Sequence, residues 1–229
     1  MRPSWKLDET AHAGHEHLDP AFVAGFDRKQ GYPDPASDIA LLDERGVRSV
    51  VDIGAGTGQF AVPAAARFDR VVAVDVSPAM VDYLRSQAES AGVTLELAQA
   101  GFVSYEHQGE PVDAVYTRHA LHQLPDFWKV VALHRIARIL GPGGVLRLRD
   151  LVYDFPSAAT EQIMDRWVSG GVADPAEGYT GADYAEHVRT ENSTFRWLLE
   201  PMLDHAGFDI ADVEYDAAGL FGAYTCVKR

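Results

Sequence analysis

One stretch constrains this chain more than any other. It is an apolar run ending in aspartate, a turn on three glycines, a helical segment, and a second apolar run that also ends in aspartate. Val47-Arg48-Ser49-Val50-Val51-Asp52-Ile53 reads as a strand, and Gly54-Ala55-Gly56-Thr57-Gly58 follows it without a spacer. Residues 59–68 read as a helix, with Pro63 tolerable only near its first turn. Val71-Val72-Ala73-Val74-Asp75 is apolar at almost every position, the pattern of a strand covered on both faces of a parallel sheet. Ser77 and Pro78 are an N-cap and a first helical residue, Val81, Leu84 and Ala88 give the helix one apolar face, and Gly92 ends it.

The alternation repeats. Residues 94–98 and 112–117 predict a third and a fourth strand, and residues 125–140 a long helix halted at Gly141-Pro142-Gly143-Gly144. Residues 145–150 predict a fifth strand. Residues 208–215 and 221–227 predict two closing strands, joined through Asp216-Ala217-Ala218-Gly219 at hairpin spacing. The expected fold class is therefore α/β: a doubly wound, seven-stranded, mostly parallel sheet with a C-terminal antiparallel hairpin. Residues 1–46 read as an N-terminal helical extension, with an apolar group at Phe22, Val23 and Phe26, breakers at Gly31, Pro33 and Pro35, and a helix over 35–45. Residues 47–229 form the main domain, with a helical insertion at about 156–200.

Composition excludes several partners. Twenty Lys and Arg against 34 Asp and Glu give a formal charge of −14, which repels nucleic acid, and no basic run offsets it. Cys226 is the one cysteine, so neither an intrachain disulfide nor a multi-cysteine zinc site is expected. No apolar run approaches membrane-spanning length, and acidic residues at 8, 9, 16 and 19 interrupt the first twenty positions, so a cytoplasmic protein is expected.

The glycine turn has two readings. It can be a tight strand–helix connection, or a place where backbone approaches a ligand. Gln59 breaks the dinucleotide pattern G-x-G-x-x-G, which disfavours a nicotinamide-dependent oxidoreductase. Asp75, 21 positions after Gly54, can accept from both ribose hydroxyls of a nucleoside lying across the strand ends; its bland role is to cap the helix at Ser77.

Four segments in order resemble the class I S-adenosylmethionine-dependent methyltransferases of small-molecule type. Val50 to Gly58 is similar to the first motif of that family, and Val74-Asp75-Val76-Ser77-Pro78 to its second-strand acidic motif. Asp113 to Leu124 is similar to its fourth-strand segment, and Leu140 to Leu146 to the turn into its fifth strand. The resemblance implies a Rossmann-like fold, S-adenosyl-L-methionine as methyl donor with S-adenosyl-L-homocysteine as product, and in-line displacement onto an acceptor. It implies cofactor contacts at Asp52, Gly54, Ala55, Gly56, Gly58, Asp75, Val76, Gly101, Phe102 and Arg118. One departure stands out: the family often has an acidic residue just after the third strand to bond the adenine amino group, and here that place is Gly101. Backbone around Gly101 and Phe102, with apolar contact from Val76, is expected to hold the base instead.

Methyl transfer chiefly requires donor and acceptor to be placed in a near-attack geometry, so no compact catalytic signature is expected. His119 and His122 follow the fourth strand at its ligand-binding end. Each is either a base titrating near neutrality or a packing residue. Tyr153 and Asp150 face the same end or serve as loop residues. His12, His15 and His17, with Glu16, fit no regular ligand spacing, and no metal site is expected. Residues 1–34 and 156–200 are expected to roof a small-molecule acceptor pocket, with Trp5, Phe22, Phe26, Tyr32, Trp167 and Tyr179 giving it an apolar character. A non-catalytic cofactor-binding module on the same fold is the alternative outside enzymes.

Overall fold

The computed structural model describes residues 4–31 and 33–229, with backbone alone at positions 15 and 16. Five strands run parallel: β1 (Ser49–Ile53), β2 (Arg70–Asp75), β3 (Glu96–Gln99), β4 (Val112–Arg118) and β5 (Leu140–Tyr153). The two-residue β6 (Thr194–Phe195) pairs with the far end of β5, and β7 (Phe208–Tyr215) and β8 (Phe221–Lys228) close the sheet as antiparallel neighbours. The order is β3-β2-β1-β4-β5-β8-β7, with β6 off that path. The seven-stranded sheet and its antiparallel hairpin match the expectation, and β6 is an addition too short to leave a sequence pattern.

Alternate residues of the central strands go to opposite faces, and both faces are buried. Val51, Ile53, Val74 and Val115 pack with Leu133 and Ile136 of the helix Asp126–Ile139 on one side. Val50, Ala73 and Tyr116 pack with Leu42, Phe60 and Leu84 on the other. Each such aliphatic side chain contributes about 1.5–3 kcal/mol on burial, which is why these runs lack the polar alternation of a one-sided sheet. Tyr116 stacks on Phe60, with ring centroids 3.7 Å apart. Its hydroxyl donates to the wholly buried Asp38, which also takes Arg147 and Arg149. Burial alone would raise the Asp38 carboxyl, but the two guanidiniums hold it below its usual value. The helix Ala36–Glu44 is thereby fastened to β4 and β5.

Element ends differ where tertiary structure overrides pattern. β1 starts at Ser49 because the Val47 N–H donates to Leu42 O in the C-terminal turn of the preceding helix. The helix expected over 59–68 contracts to Ala61–Ala65, because the chain must bend back to deliver Arg70 beside Arg48. β5 begins at Leu140 rather than 145. Val112 pairs with Leu140 and Ala114 with Val145, so the Gly141–Gly144 turn is an irregularity inside the strand pairing. Ser77 caps the helix Pro78–Ala91 as read, with Oγ accepting from Met80 N, and Gly92 ends it at φ +66°. The N-terminal extension is broken into short helical turns at Thr10–His12, His15–Leu18, Pro20–Val23 and Phe26–Lys29. Among the described residues no helix is long and apolar enough to cross a membrane.

Candidate active site

The turn after β1 folds onto the tip of β2. Val74 O accepts from both Gly54 N and Ala55 N, and Gly56 N donates to Asp75 Oδ2 at 2.8 Å. Gly54 and Gly58 are glycines for packing as well as conformation. A Cβ on Gly54 would lie 2.4 Å from Ala120 Cβ, and one on Gly58 2.9 Å from Leu84 Cγ. Gly56, at φ +53°, instead opens onto a cleft, with Phe26 the one neighbour near its missing side chain.

That cleft crosses the strand tips. Asp52, Gly54, Ala55, Gly56, Asp75, Val76, Gly101, Phe102, Arg118 and His119 all line it, so every residue read from the sequence as a cofactor contact reaches it except Gly58. Burial pushes the Asp75 carboxyl up, against the N–H groups of Ser77 and Gly56 that bond it. Asp52 is raised well above the carboxylate range by burial and then by the Asp75 charge. The Arg118 Nε and His119 Nδ1 atoms are buried without a partner. A cleft whose wall holds two carboxyls, glycine backbone and unsatisfied buried donors fits a polar, zwitterionic nucleoside such as S-adenosylmethionine.

The N-terminal extension is the roof. Asp27 Oδ1 accepts from Thr57 Oγ1 at 2.5 Å and from Gln59 Nε2 at 2.7 Å, so the residue that breaks the dinucleotide pattern anchors the roof to the turn. Ser77 Oγ donates to His17 O at 2.7 Å. The His17 Nδ1–H donates to Ala13 O, and the ring meets Phe26 edge-on. Tyr32 and the side chains at positions 15 and 16 lie outside the described residues; among the described N-terminal histidines, His12 and His17 reach the cleft.

Beyond His119 lies a second cavity of about 560 Å³, reached by Arg118, His122, Trp167, Tyr179, Tyr184, His187 and Glu191. Lys29 bridges the two roofs: it pairs with Asp183 at 3.2 Å and lies over the Tyr179 ring. His122 Nδ1 meets Asp150 Oδ1 at 2.5 Å, and its Nε2 meets Glu191 Oε2 at 2.7 Å; that oxygen also meets His187 Nδ1 at 2.6 Å. His122, His187 and Glu191 form a three-residue group close enough for a cation. At these separations the groups are joined directly by charge-assisted hydrogen bonds.

Neither histidine titrates near neutrality. Burial alone would lower His122, but Asp150 and Glu191 overcome it and lift the imidazole to about 9. His119 is lowered to about 3, chiefly by burial and then by Arg118 and neighbouring cationic groups acting against the pull of Asp150. It is also the one described non-glycine residue at positive φ, +49°. The expectation of a base poised near neutral pH is corrected by these surroundings. Glu9, Asp27, His187 and Glu191 were not singled out from sequence. The spacing of four between His187 and Glu191 was the one available signal.

Residues 50–144 match the family model described as a methyltransferase domain. Those 95 of 229 residues are what the chain shares with methyltransferases. The match stops at the turn inside β5, so the roof and most of the second cavity's outer wall lie outside it. An uncharacterized methyltransferase of Geobacillus kaustophilus is 23% identical over 211 residues, covering 82% of this chain and 97% of its own. One of Mycobacterium tuberculosis is 34% identical over 127 residues, 55% of this chain, and the match spans about half (49%) of that relative's length. The methyltransferase fold is shared with the magnesium protoporphyrin IX methyltransferase of Synechocystis PCC 6803 with bound S-adenosylmethionine. That structure has a TM-score of 0.66 at 15% identity, covering 99% of this chain and 100% of that one.

Proposed function

We propose that this methyltransferase moves the methyl group of S-adenosylmethionine to a small-molecule acceptor seated in the 560 Å³ cavity. The observation that carries the reading is continuity: the cofactor cleft and the cavity share Arg118 and His119 as a common wall. Acceptors of small size fit the cavity, its Trp167 and Tyr184 rings suit a partly apolar one, and the charge of −14 opposes a polyanion. The small-molecule methyltransferase among the structural neighbours is in keeping with this. When bound, the donor supplies an electrophilic methyl group on a sulfonium.

The chain's own residues bind and orient. Asp75 accepts from the ribose hydroxyls, Gly54, Ala55 and Gly56 let backbone approach, Gly58 keeps the turn packed, and Val76 and Phe102 cover the base. Arg118 faces an anionic group at the β4 end, and Asp52 faces the cationic end of the donor. His122 stays protonated with both ring N–H groups given to Asp150 and Glu191, so it braces the cavity wall rather than contacting the acceptor. His119 stays neutral and offers an unengaged nitrogen for a hydrogen bond. Residues 1–46 roof the donor and 156–200 the acceptor, keeping water from the reacting centre. A cytoplasmic setting suits the single, buried Cys226. Incubation with methyl-labelled donor and a fractionated metabolite extract tests the reading. Label in a small product supports it; binding of S-adenosylhomocysteine with no transfer from any fraction would favour the non-catalytic module.

A further inference from the structure

A carboxylate from the first ten residues stands where the side chain of residue 101 would be. A Cβ on Gly101 would lie 2.3 Å from Glu9 Oε1 and 2.6 Å from its Cδ. The backbone at Gly101 is not left-handed, so space and not conformation demands glycine there. Glu9 Oε1 accepts from Val103 N at 2.9 Å. Glu9 Oε2 is buried without any partner, in a residue only 5% exposed that lines the cofactor cleft. A buried acceptor with no donor is costly, and a ligand's N–H is what would remove that cost.

The sheet order says which part of the ligand arrives there. Along β4-β1-β2-β3 the cleft runs from Arg118 past the glycine turn and Asp75 to residues 100–102. A nucleoside whose ribose lies on Asp75 has its base at the β3 end, beside Glu9. We propose that Glu9 recognises the adenine of the donor by accepting a hydrogen of its exocyclic amino group at Oε2. Base specificity is then carried by the N-terminal extension, and Gly101 is small because Glu9 fills its place. The inference rests on the donor reading above.

A purely structural role, in which Glu9 only straps the extension to Val103, makes a different prediction. Calorimetry compares S-adenosylhomocysteine with S-inosylhomocysteine, whose base has an oxo group where adenine has the amino group. The wild-type protein prefers the adenosyl ligand by about tenfold or more. Glu9→Gln keeps a carbonyl for Val103 N–H but turns an NH₂ toward the base, so the preference collapses or reverses. Glu9→Ala loses the preference, and Glu9→Ala with Gly101→Asp regains it, because the vacated space admits a carboxylate from the β3 end. Thermal melts of the same samples confirm folding. Glu9→Gln that weakens both ligands equally and keeps the wild-type ratio overturns the proposal while leaving the donor site intact. A wild-type protein that binds neither ligand overturns the donor reading and this inference with it.

Discussion

Replacing Asp75 by alanine removes a group with two separate duties. In the free protein its oxygens accept from Gly56 N and Ser77 N, each at 2.8 Å. In the proposed complex it would also accept from two ribose hydroxyls. Each charge-assisted bond is worth about 1.5–3 kcal/mol, and the lower end applies where water compensates, so the pair contributes about 3 kcal/mol. At 1.4 kcal/mol per decade this weakens S-adenosylhomocysteine binding by on the order of 100-fold. Calorimetry measures it directly. Deoxy analogues lacking one ribose hydroxyl separate the two duties: each costs the wild-type protein about tenfold and Asp75→Ala almost nothing. Wild-type affinity in Asp75→Ala, or an equal penalty for the deoxy ligand in both proteins, refutes the assignment.

Gly56→Val forces a branched residue to φ +53°, costing roughly 1–2 kcal/mol of stability, and puts its methyls into the cleft; a cooperative melt with no detectable S-adenosylhomocysteine binding is the expected result. His122 is raised in the folded state to about 9, so its stabilising contribution is complete below its unfolded value of about 6.5 and is lost as pH rises through about 9. Asp150, Glu191, His119 and His187 surround it, and melts from pH 6.5 to 9 should fall less steeply in His122→Gln than in the wild type. Deleting residues 1–30 keeps the Asp38 clamp and the sheet, so the protein folds and binds S-adenosylhomocysteine more weakly, but most methyl transfer is lost; unchanged turnover of its natural acceptor would sink the roof assignment.

The parts legible in sequence were those whose chemistry and position are set by neighbours along the chain. The glycine turn, Asp75 and the Ser77-Pro78 helix start are local; Gly54 to Thr57 and Asp75 line the cleft, and Ser77 caps its helix as read. Gly101 was legible as a gap, but its filler was not, because Glu9 arrives from 92 residues away on a segment without periodicity. Asp27 was hidden in the same way, and Gln59 could be read only as a departure from another pattern until the structure paired the two. His119 and His122 were correctly placed at the β4 end. Their protonation was out of reach, since it depends on Asp150 across the β4–β5 pairing and on Glu191 from the insertion.

The Lys29–Asp183 pair fastens the cover of the donor to the cover of the acceptor, as one latch across two leaves of a door. On the proposed reading neither compartment would exchange its contents alone: the spent donor and the methylated product would wait on the same opening, and fresh reactants on the same closure. Turnover in such an arrangement would be timed by the latch rather than by bond-making, and this pair, with side chains 13% and 29% exposed, would be loosened by salt only in part. The rate should therefore climb with ionic strength until the covers no longer shut, giving an optimum where a site with independent doors would show a steady trend.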